Sequence, residues 1–200
     1  MLLWINGPFG GGKTATAFEL RRRLPGSVVC DPEYVGLGMH RMLPRALRAD
    51  YQDLPPWRHS VQYLLARTLG SHPGPVIVPM TLINAAYFDE IIGGLRADGV
   101  DVRHFSLLAE RATILRRIRE RAWLFGLSHD RWAVDHLDQC LDRLRQPEFS
   151  EHVTTDDRTV AQVADAIASS AGLTIVPSAD GRARAWLRRR ATSIRHIRFG

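Results

Sequence analysis

The sequence contains almost no lysine. Of its 27 lysine and arginine residues, Lys13 is the only lysine, and every other one is arginine. The two side chains are not interchangeable, because an ammonium is a compact charge on a thin stem that fits under a phosphate where a planar guanidinium is too wide. The position that keeps its lysine is therefore the first candidate for a binding site.

Cysteine and long apolar runs are also scarce. Cys30 and Cys140 lie far apart and form no C-x-x-C pair, which predicts free thiols in a reducing compartment. No apolar stretch reaches the roughly 18 residues of a membrane-spanning helix, and the first apolar run is too short for a signal sequence. With 200 residues, 45% hydrophobic content and a net charge of +6, the chain has the composition of a globular domain that suits a polyanionic ligand. We predict a cytoplasmic protein.

The single lysine lies in a glycine-rich stretch. Residues 7–14 fit the pattern G-x-x-x-x-G-K-[ST], with an apolar strand pattern before them and a helical pattern after them. Such a loop points several backbone N–H groups at a phosphate chain, at the positive end of a helix. Strand, turn and helix together argue against a chance glycine run. The pattern predicts binding of ATP and Mg²⁺ through Gly7, Gly10, Gly11, Gly12, Lys13 and Thr14.

Two acidic residues follow the second predicted strand, residues 27–30. Asp31 and Glu33 stand at its carboxyl end, where ligands gather in an open parallel sheet. If this strand neighbours the first, Asp31 lies beside the phosphate loop and can take a proton from an attacking hydroxyl or hold Mg²⁺. The alternative is that Asp31 or Glu33 caps a helix that begins near Tyr34.

Residues 34–72 have the composition of an insert that binds a phosphate acceptor. Glycines and prolines interrupt the pattern up to about residue 58, and a helix is predicted from Pro56 to about Ser71. The candidate acceptor contacts are Glu33, Tyr34, Trp57 and Arg58. The alternative is that the aromatic residues belong to the core and the arginine is solvated.

The third predicted strand, residues 75–81, ends without a carboxylate. Motor ATPases place an Asp or Asp-Glu there to hold Mg²⁺ and polarise water, whereas this chain has Thr81. We expect Thr81 to cap the next helix, with ligand binding as the alternative. The missing carboxylate argues against a hydrolysing motor and for a transferase that uses Asp31.

A basic helix follows the fourth predicted strand, residues 100–108. Arg117 and Arg121 are four residues apart and share one face of it. Beside a phosphate loop, such a pair can neutralise the oxygens of the transferred phosphoryl group. An equal alternative is a solvated face paired with Glu110 and Glu120. Residues 117–134 are predicted to form a lid.

The last twenty residues differ from the rest of the chain. Residues 181–200 hold seven arginines and no acidic residue, with apolar residues at helical spacing. This pattern predicts a basic amphipathic helix over 177–200 that packs on its own domain, docks on a partner or lies at the periphery of an anionic membrane. No nucleic-acid recognition motif accompanies the charge, so we expect no nucleic-acid binding.

Several stretches resemble the bacterial tunicamycin-resistance protein family. In the same order and at similar spacing, they are Leu3 to Thr14, Asp31-Pro32-Glu33, Pro55 to Arg58, Val78 to Thr81, Tyr87 to Ile92 and His196-Ile197-Arg198. The resemblance implies a fold related to chloramphenicol phosphotransferase and shikimate kinase, binding of ATP and tunicamycin, and a C-terminal helix at the membrane periphery. The lid sequence Trp-Leu-Phe-Gly-Leu-Ser is more apolar than expected of this family.

Together the patterns predict an α/β protein with a three-layer α/β/α P-loop kinase fold and a parallel sheet of about five strands. Residues 1–176 form this domain and residues 177–200 the basic helix. The loop predicts phosphoryl transfer from ATP, and the family resemblance implies that the acceptor is a hydroxyl of a nucleoside-type small molecule, with tunicamycin first. A protein that only sequesters the drug and a nucleoside or nucleotide kinase are the alternatives. The predicted catalytic residues are Lys13, Asp31, Arg117 and Arg121, and the predicted metal ligands are Thr14 and Asp31.

Overall fold

The sheet is entirely parallel. The computed structural model describes residues 1–125 and 130–178, with side chains outside 121–132. Within them, five strands pair in the order β2-β3-β1-β4-β5. They are β1 (Leu2–Asn6), β2 (Val28–Val29), β3 (Val76–Pro79), β4 (Val102–Leu108) and β5 (His152–Thr154). The central β1 is buried along its whole length, as expected of a strand covered on both faces.

Helices cover both faces of the sheet. Alternate residues of β1 point to opposite faces, so Leu3 belongs to one core and Trp4 to the other. The Leu3 face carries α1 (Lys13–Arg23) and α9 (Val160–Ser170). The Trp4 face carries α3 (Pro55–Ser71), α4 (Ala85–Phe88), a π-helical turn (Asp89–Gly93), α5 (Gly94–Ala97) and α8 (Leu137–Leu144). The predicted three-layer α/β/α fold is confirmed.

A third apolar cluster supports the outer side of the phosphate loop. It joins α6 (Arg111–Phe125) and α7 (Asp130–Asp135) to α8 through Ile114, Ile118, Leu137 and Leu141. Phe9, from the loop itself, packs against this cluster. The loop therefore lies between the sheet and a helical layer.

The insert is more regular than its sequence pattern predicts. The helix α2 (Glu33–Met42) runs through two glycines, and short 3₁₀ turns follow at Arg45–Leu47 and Tyr51–Asp53. The ring of Tyr51 fills the space beside Gly36, where a Cβ would lie 2.5 Å from Tyr51 Cγ. Tertiary packing thus outweighs the poor helix propensity of glycine here.

Two predicted features lie wholly or partly outside the described residues. They are the C-terminal helix, from residue 179 onward, and the middle of the lid, residues 126–129. The chain just before residue 179 is fixed to the end of α1, because Arg23 and Val176 exchange two hydrogen bonds of 2.7 Å. Within the described ranges, no helix has the length and apolarity needed to cross a membrane.

Candidate functional site

The glycine-rich loop joins the end of β1 to the first turn of α1. Lys13 is the first residue of α1, and Gly12 is its N-cap in a left-handed conformation. The Lys13 side chain is 8% exposed, and its ammonium donates to the carbonyl oxygens of Gly7 at 2.9 Å and Pro8 at 3.0 Å. Thr14 lies in the same first turn, partly buried. A helix N-terminus with a cation beside it is suited to a phosphate chain.

Gly10 lets the loop pass close to α6. Its φ is 78°, and a Cβ at this position would lie 2.9 Å from Cγ1 of Ile118. Both the backbone conformation and the contact exclude larger residues. The glycine pattern is thus required by the fold as well as by a phosphate.

Asn6, the last residue of β1, connects the loop to its neighbours. It is fully buried, and its carbonyl oxygen accepts from the backbone N–H groups of Gly7 at 2.9 Å and Leu82 at 3.0 Å. Its amide donates to the Leu82 carbonyl at 2.7 Å and lies 3.2 Å from Nε2 of His104. One side chain therefore sets the start of the phosphate loop relative to the connection that follows β3.

The ring of His104 completes this buried network. Its Nδ1 lies 3.1 Å from the Ser150 carbonyl oxygen. A carbonyl can only accept, so Nδ1 carries the proton and Nε2 accepts from Asn6. Burial lowers the pKa of His104 from 6.5 to about 4. The ring is neutral near pH 7, which is the form that this arrangement requires.

Thr81 points back to the phosphate loop and does not cap the next helix. Its hydroxyl donates to the Gly7 carbonyl oxygen at 2.8 Å, the same oxygen that accepts from Lys13. The cap of α4 is Asn84, whose side chain accepts from two backbone N–H groups. The prediction that Thr81 caps this helix is therefore wrong, while its contact with a ligand stays a prediction.

Asp31 does not follow a strand that neighbours β1, as its predicted place beside the phosphate loop required. The strand before it, β2, pairs with β3 and does not neighbour β1. Two strand spacings are about 10 Å, so Asp31 approaches the loop across β3. Its Oδ1 accepts from the backbone N–H of Glu33 at 3.0 Å, but the N-cap of α2 is Pro32, which makes no side-chain cap, so the prediction that Asp31 or Glu33 is the cap is wrong. Its catalytic and metal-binding roles stay predictions.

The oxygen donors present fit Mg²⁺. This ion prefers hard oxygen ligands and keeps several waters when it binds beside phosphates. The hydroxyl of Thr14 and the carboxylate of Asp31 are donors of that kind. In the described part of the chain, no three His, Cys, Asp or Glu side chains gather into a metal cage. Such a cage is not what a nucleotide-bound Mg²⁺ uses.

The predicted acceptor contacts divide into buried and accessible side chains. Trp57 has no exposed surface and donates its indole N–H to the Pro32 carbonyl at 3.2 Å, so the prediction of a ligand contact for Trp57 is wrong in this conformation. Arg58 is also buried, where it donates to Glu90 at 2.6 Å. Of the two candidates at the start of α2, Glu33 is partly buried and Tyr34 is exposed.

Of the two predicted arginines of α6, the structure describes the side-chain contacts of Arg117 only. Arg117 donates to the hydroxyl of Thr155 at 2.9 Å and to its carbonyl oxygen at 2.8 Å. Thr155 lies in the connection from β5 to α9, so Arg117 holds that connection. The side chain of Arg121 lies outside the described residues. The phosphoryl clamp stays a prediction.

A cavity of about 360 Å³ opens beside the connection that follows β3. Its lining is polar and comes from three segments: the second 3₁₀ turn of the insert, the start of α4, and α8. The lining side chains include Asp50, Gln52, Asp53, Asn84, Tyr87, Gln139 and Arg143. Sequence reasoning did not find these residues, because no motif or common spacing links positions so far apart in the chain.

Comparisons with known proteins identify the family of this chain. A family model described as an AAA domain matches residues 2–147. The solved tunicamycin resistance protein of Deinococcus radiodurans is 33% identical, with a TM-score of 0.74, over 88% of this chain and 99% of that one. A search of curated proteins finds no match.

Two more distant structures share the fold. A sugar kinase from a Janibacter species is 16% identical, with a TM-score of 0.63, over 86% of this chain and 95% of that one. The Mycobacterium tuberculosis APS kinase, solved with AMPPNP and APS, is 18% identical, with a TM-score of 0.59, over 86% and 96%. These likenesses show the fold alone.

The fold and the loop thus define a P-loop, nucleotide-binding protein with the architecture of the small-molecule kinases. Within that class, the chain belongs to the tunicamycin-resistance protein family. The resemblance seen in the sequence is confirmed.

Proposed function

We propose that the protein transfers the γ-phosphoryl group of ATP, with Mg²⁺, to a hydroxyl of a nucleoside-type small molecule, and that this molecule is tunicamycin. The observation that carries the proposal is the loop at the N-terminus of α1, with its buried Lys13, in a chain of the tunicamycin-resistance family. Modification of the drug would give antibiotic resistance.

The roles of the residues follow from the chemistry of phosphoryl transfer. The acceptor oxygen forms a bond to the γ-phosphorus, the bond to the bridging oxygen breaks, and ADP leaves. Lys13 and the loop N–H groups hold the β- and γ-phosphates. Asp31 takes the proton of the acceptor hydroxyl, and Thr14 with Asp31 would hold Mg²⁺, which neutralises charge on the phosphates.

The end of β3 favours a transferase over a motor. Thr81 stands where a motor ATPase carries the carboxylate that activates water, and its hydroxyl is bonded to Gly7. With no carboxylate at this point, water is poorly activated, and an acceptor hydroxyl can react instead.

The direct test is to incubate the protein with ATP, Mg²⁺ and tunicamycin and to analyse the drug by mass spectrometry. We expect a product heavier by one phosphoryl group and a matching amount of ADP. If the protein binds ATP and the drug but the drug mass stays unchanged, the kinase proposal fails.

Two other functions are separable by experiment. If the protein only sequesters the drug, Asp31→Asn should leave drug protection of cells intact, whereas a kinase should lose it. Asp142→Asn, an exposed carboxylate on α8 outside the cavity, is the matched control. If the protein is a nucleoside or nucleotide kinase, ordinary nucleosides should consume ATP faster than tunicamycin does.

A further inference from the structure

The polar cavity has the position of a small-molecule site. It lies beyond the carboxyl end of β3, and ligands of open α/β sheets bind on that side. Its volume of about 360 Å³ is at the small end of the range for ligand sites, which suits a group of one or two rings.

The lining offers both hydrogen-bond donors and acceptors. Asp53 lines the cavity and accepts from the Tyr87 hydroxyl at 3.0 Å through Oδ1. A carboxylate has a second oxygen that can accept from a ligand. Asn84 uses its carbonyl oxygen to cap α4, so its amide donors are the part that a ligand can use. Gln139 and Arg143 are four residues apart and share the face of α8 that lines the cavity.

The charges in the lining select among ligand classes. The lining holds two carboxylates, Asp50 and Asp53, and one guanidinium, that of Arg143. The Arg58 guanidinium, which lies over the Tyr87 ring, is paired with Glu90, so a phosphorylated or sulfated ligand would meet net negative charge. A hydrocarbon chain would remove the water from these polar groups without replacing their hydrogen bonds, which is costly. A neutral group with several hydroxyls can both donate to the carboxylates and accept from the amides and the guanidinium.

A chain of hydrogen bonds connects the cavity to the phosphate loop. The amide of Gln52 donates to the Thr81 carbonyl oxygen at 3.2 Å, and the Thr81 hydroxyl donates to Gly7 at 2.8 Å. The Gly7 carbonyl oxygen in turn accepts from Lys13. A group held in the cavity is therefore placed relative to the loop by direct contacts.

We infer that this cavity binds the phosphate acceptor through a neutral, polyhydroxylated group of the sugar type, and that Asp53 and Gln139 are specificity-determining contacts. The inference rests on the proposed function, because it assigns this cavity to the acceptor of that reaction.

The test uses a matched set of sugars and two cavity variants. Binding of glucose and glucose 6-phosphate is measured by NMR at millimolar concentrations, and binding of AMPPNP is measured separately. We expect glucose to bind better than glucose 6-phosphate, and Asp53→Asn and Gln139→Leu each to weaken glucose binding about tenfold, the loss of one charged or well-placed hydrogen bond. Asp142→Asn should bind like wild type, and AMPPNP affinity should change less than twofold in every variant.

Each outcome supports or overturns the inference. It fails if glucose does not bind, if glucose 6-phosphate binds better than glucose, or if the cavity variants behave like Asp142→Asn. The Asp53→Asn variant keeps a side-chain oxygen that can accept from the Tyr87 hydroxyl. Circular dichroism checks that each variant is folded. If tunicamycin is phosphorylated at wild-type rates by both cavity variants, the cavity assignment fails and the kinase proposal stands. If sugars bind as expected but no phosphoryl group is transferred, the kinase proposal fails and the cavity still binds a sugar-type group.

Discussion

The phosphate loop and the polar cavity lie at the same edge of the sheet but are built in opposite ways. The loop is eight consecutive residues, 7–14, held between the core of the sheet and the apolar cluster of α6 and α8. The cavity takes its side chains from three segments between residues 50 and 143, and most of them are partly exposed. A local, buried site leaves a motif in the sequence, whereas a site assembled from distant segments leaves none.

Asn6 stands at the border between the two regions. It contacts the first residue of the loop and the connection that leads to the cavity. We expect substitutions in the loop to have the largest effects on activity or stability, those at this border smaller ones, and substitution of Arg117 the smallest.

The largest effect should come from Lys13. Lys13→Ala should lower kcat/KM for phosphoryl transfer by about 10³-fold, as expected when one preorganised charge is removed from the transferred group. Lys13→Arg should remain severely impaired, because the wider guanidinium does not fit a position that is buried against two carbonyl groups. Release of ADP in a coupled assay measures both variants. A kcat/KM of Lys13→Arg within tenfold of the wild-type value would show that the loop does not require a lysine at this position.

Asn6→Ala should reduce stability more than any other substitution at this border. It leaves the N–H of Gly7 and both backbone groups of Leu82 without buried partners, and each such group costs about 1–3 kcal/mol. We expect the free energy of unfolding to fall by about 3 kcal/mol, measured in urea. Asn84→Ala, which removes an exposed helix cap, is the control and should cost about 1 kcal/mol. Equal losses in the two variants would refute the border role.

Stability should decrease in mild acid because of His104. Its pKa is about 4 in the folded state, below the unfolded value of 6.5, so the unfolded chain binds more protons between these values. The contribution is fully present above pH 6.5 and should be about 2 kcal/mol smaller at pH 5. Urea unfolding at pH 7.5 and pH 5 measures it. A His104→Gln variant should lose less stability over this interval than wild type, and an equal loss would assign the effect to other groups.

The smallest effect is expected from Arg117 when it only holds the connection around Thr155. If it only holds the connection around Thr155, Arg117→Met should lower the free energy of unfolding by about 1.5 kcal/mol, the loss of a charged hydrogen bond, and leave kcat nearly unchanged. If it closes on the transferred phosphoryl group, kcat should fall by about 100-fold instead. Steady-state kinetics with varied ATP separates the two roles.

The sequence predicts most of the fold because its strands are apolar runs and its loop carries a strong motif. The position of Asp31 was less well predicted, because strand order depends on how β3 inserts between β2 and β1. The role of Thr81 was missed for a related reason: its partner is the carbonyl of Gly7, 74 positions away in the chain. Trp57 follows the alternative that the sequence left open: it belongs to the core, because its indole packs among apolar side chains and its N–H is bonded to the Pro32 carbonyl oxygen.

The double contact of Asn6 has a consequence for how such a protein can change its substrate. One side chain fixes Gly7 and Leu82 relative to each other, so the wall nearest the nucleotide is set once the loop is set. New acceptor preferences in related chains should then arise on the opposite walls, in the 3₁₀ turn that includes Asp53 and on the face of α8 that includes Gln139. Directed evolution toward another acceptor should therefore accumulate substitutions on those two surfaces and leave Asn6 unchanged.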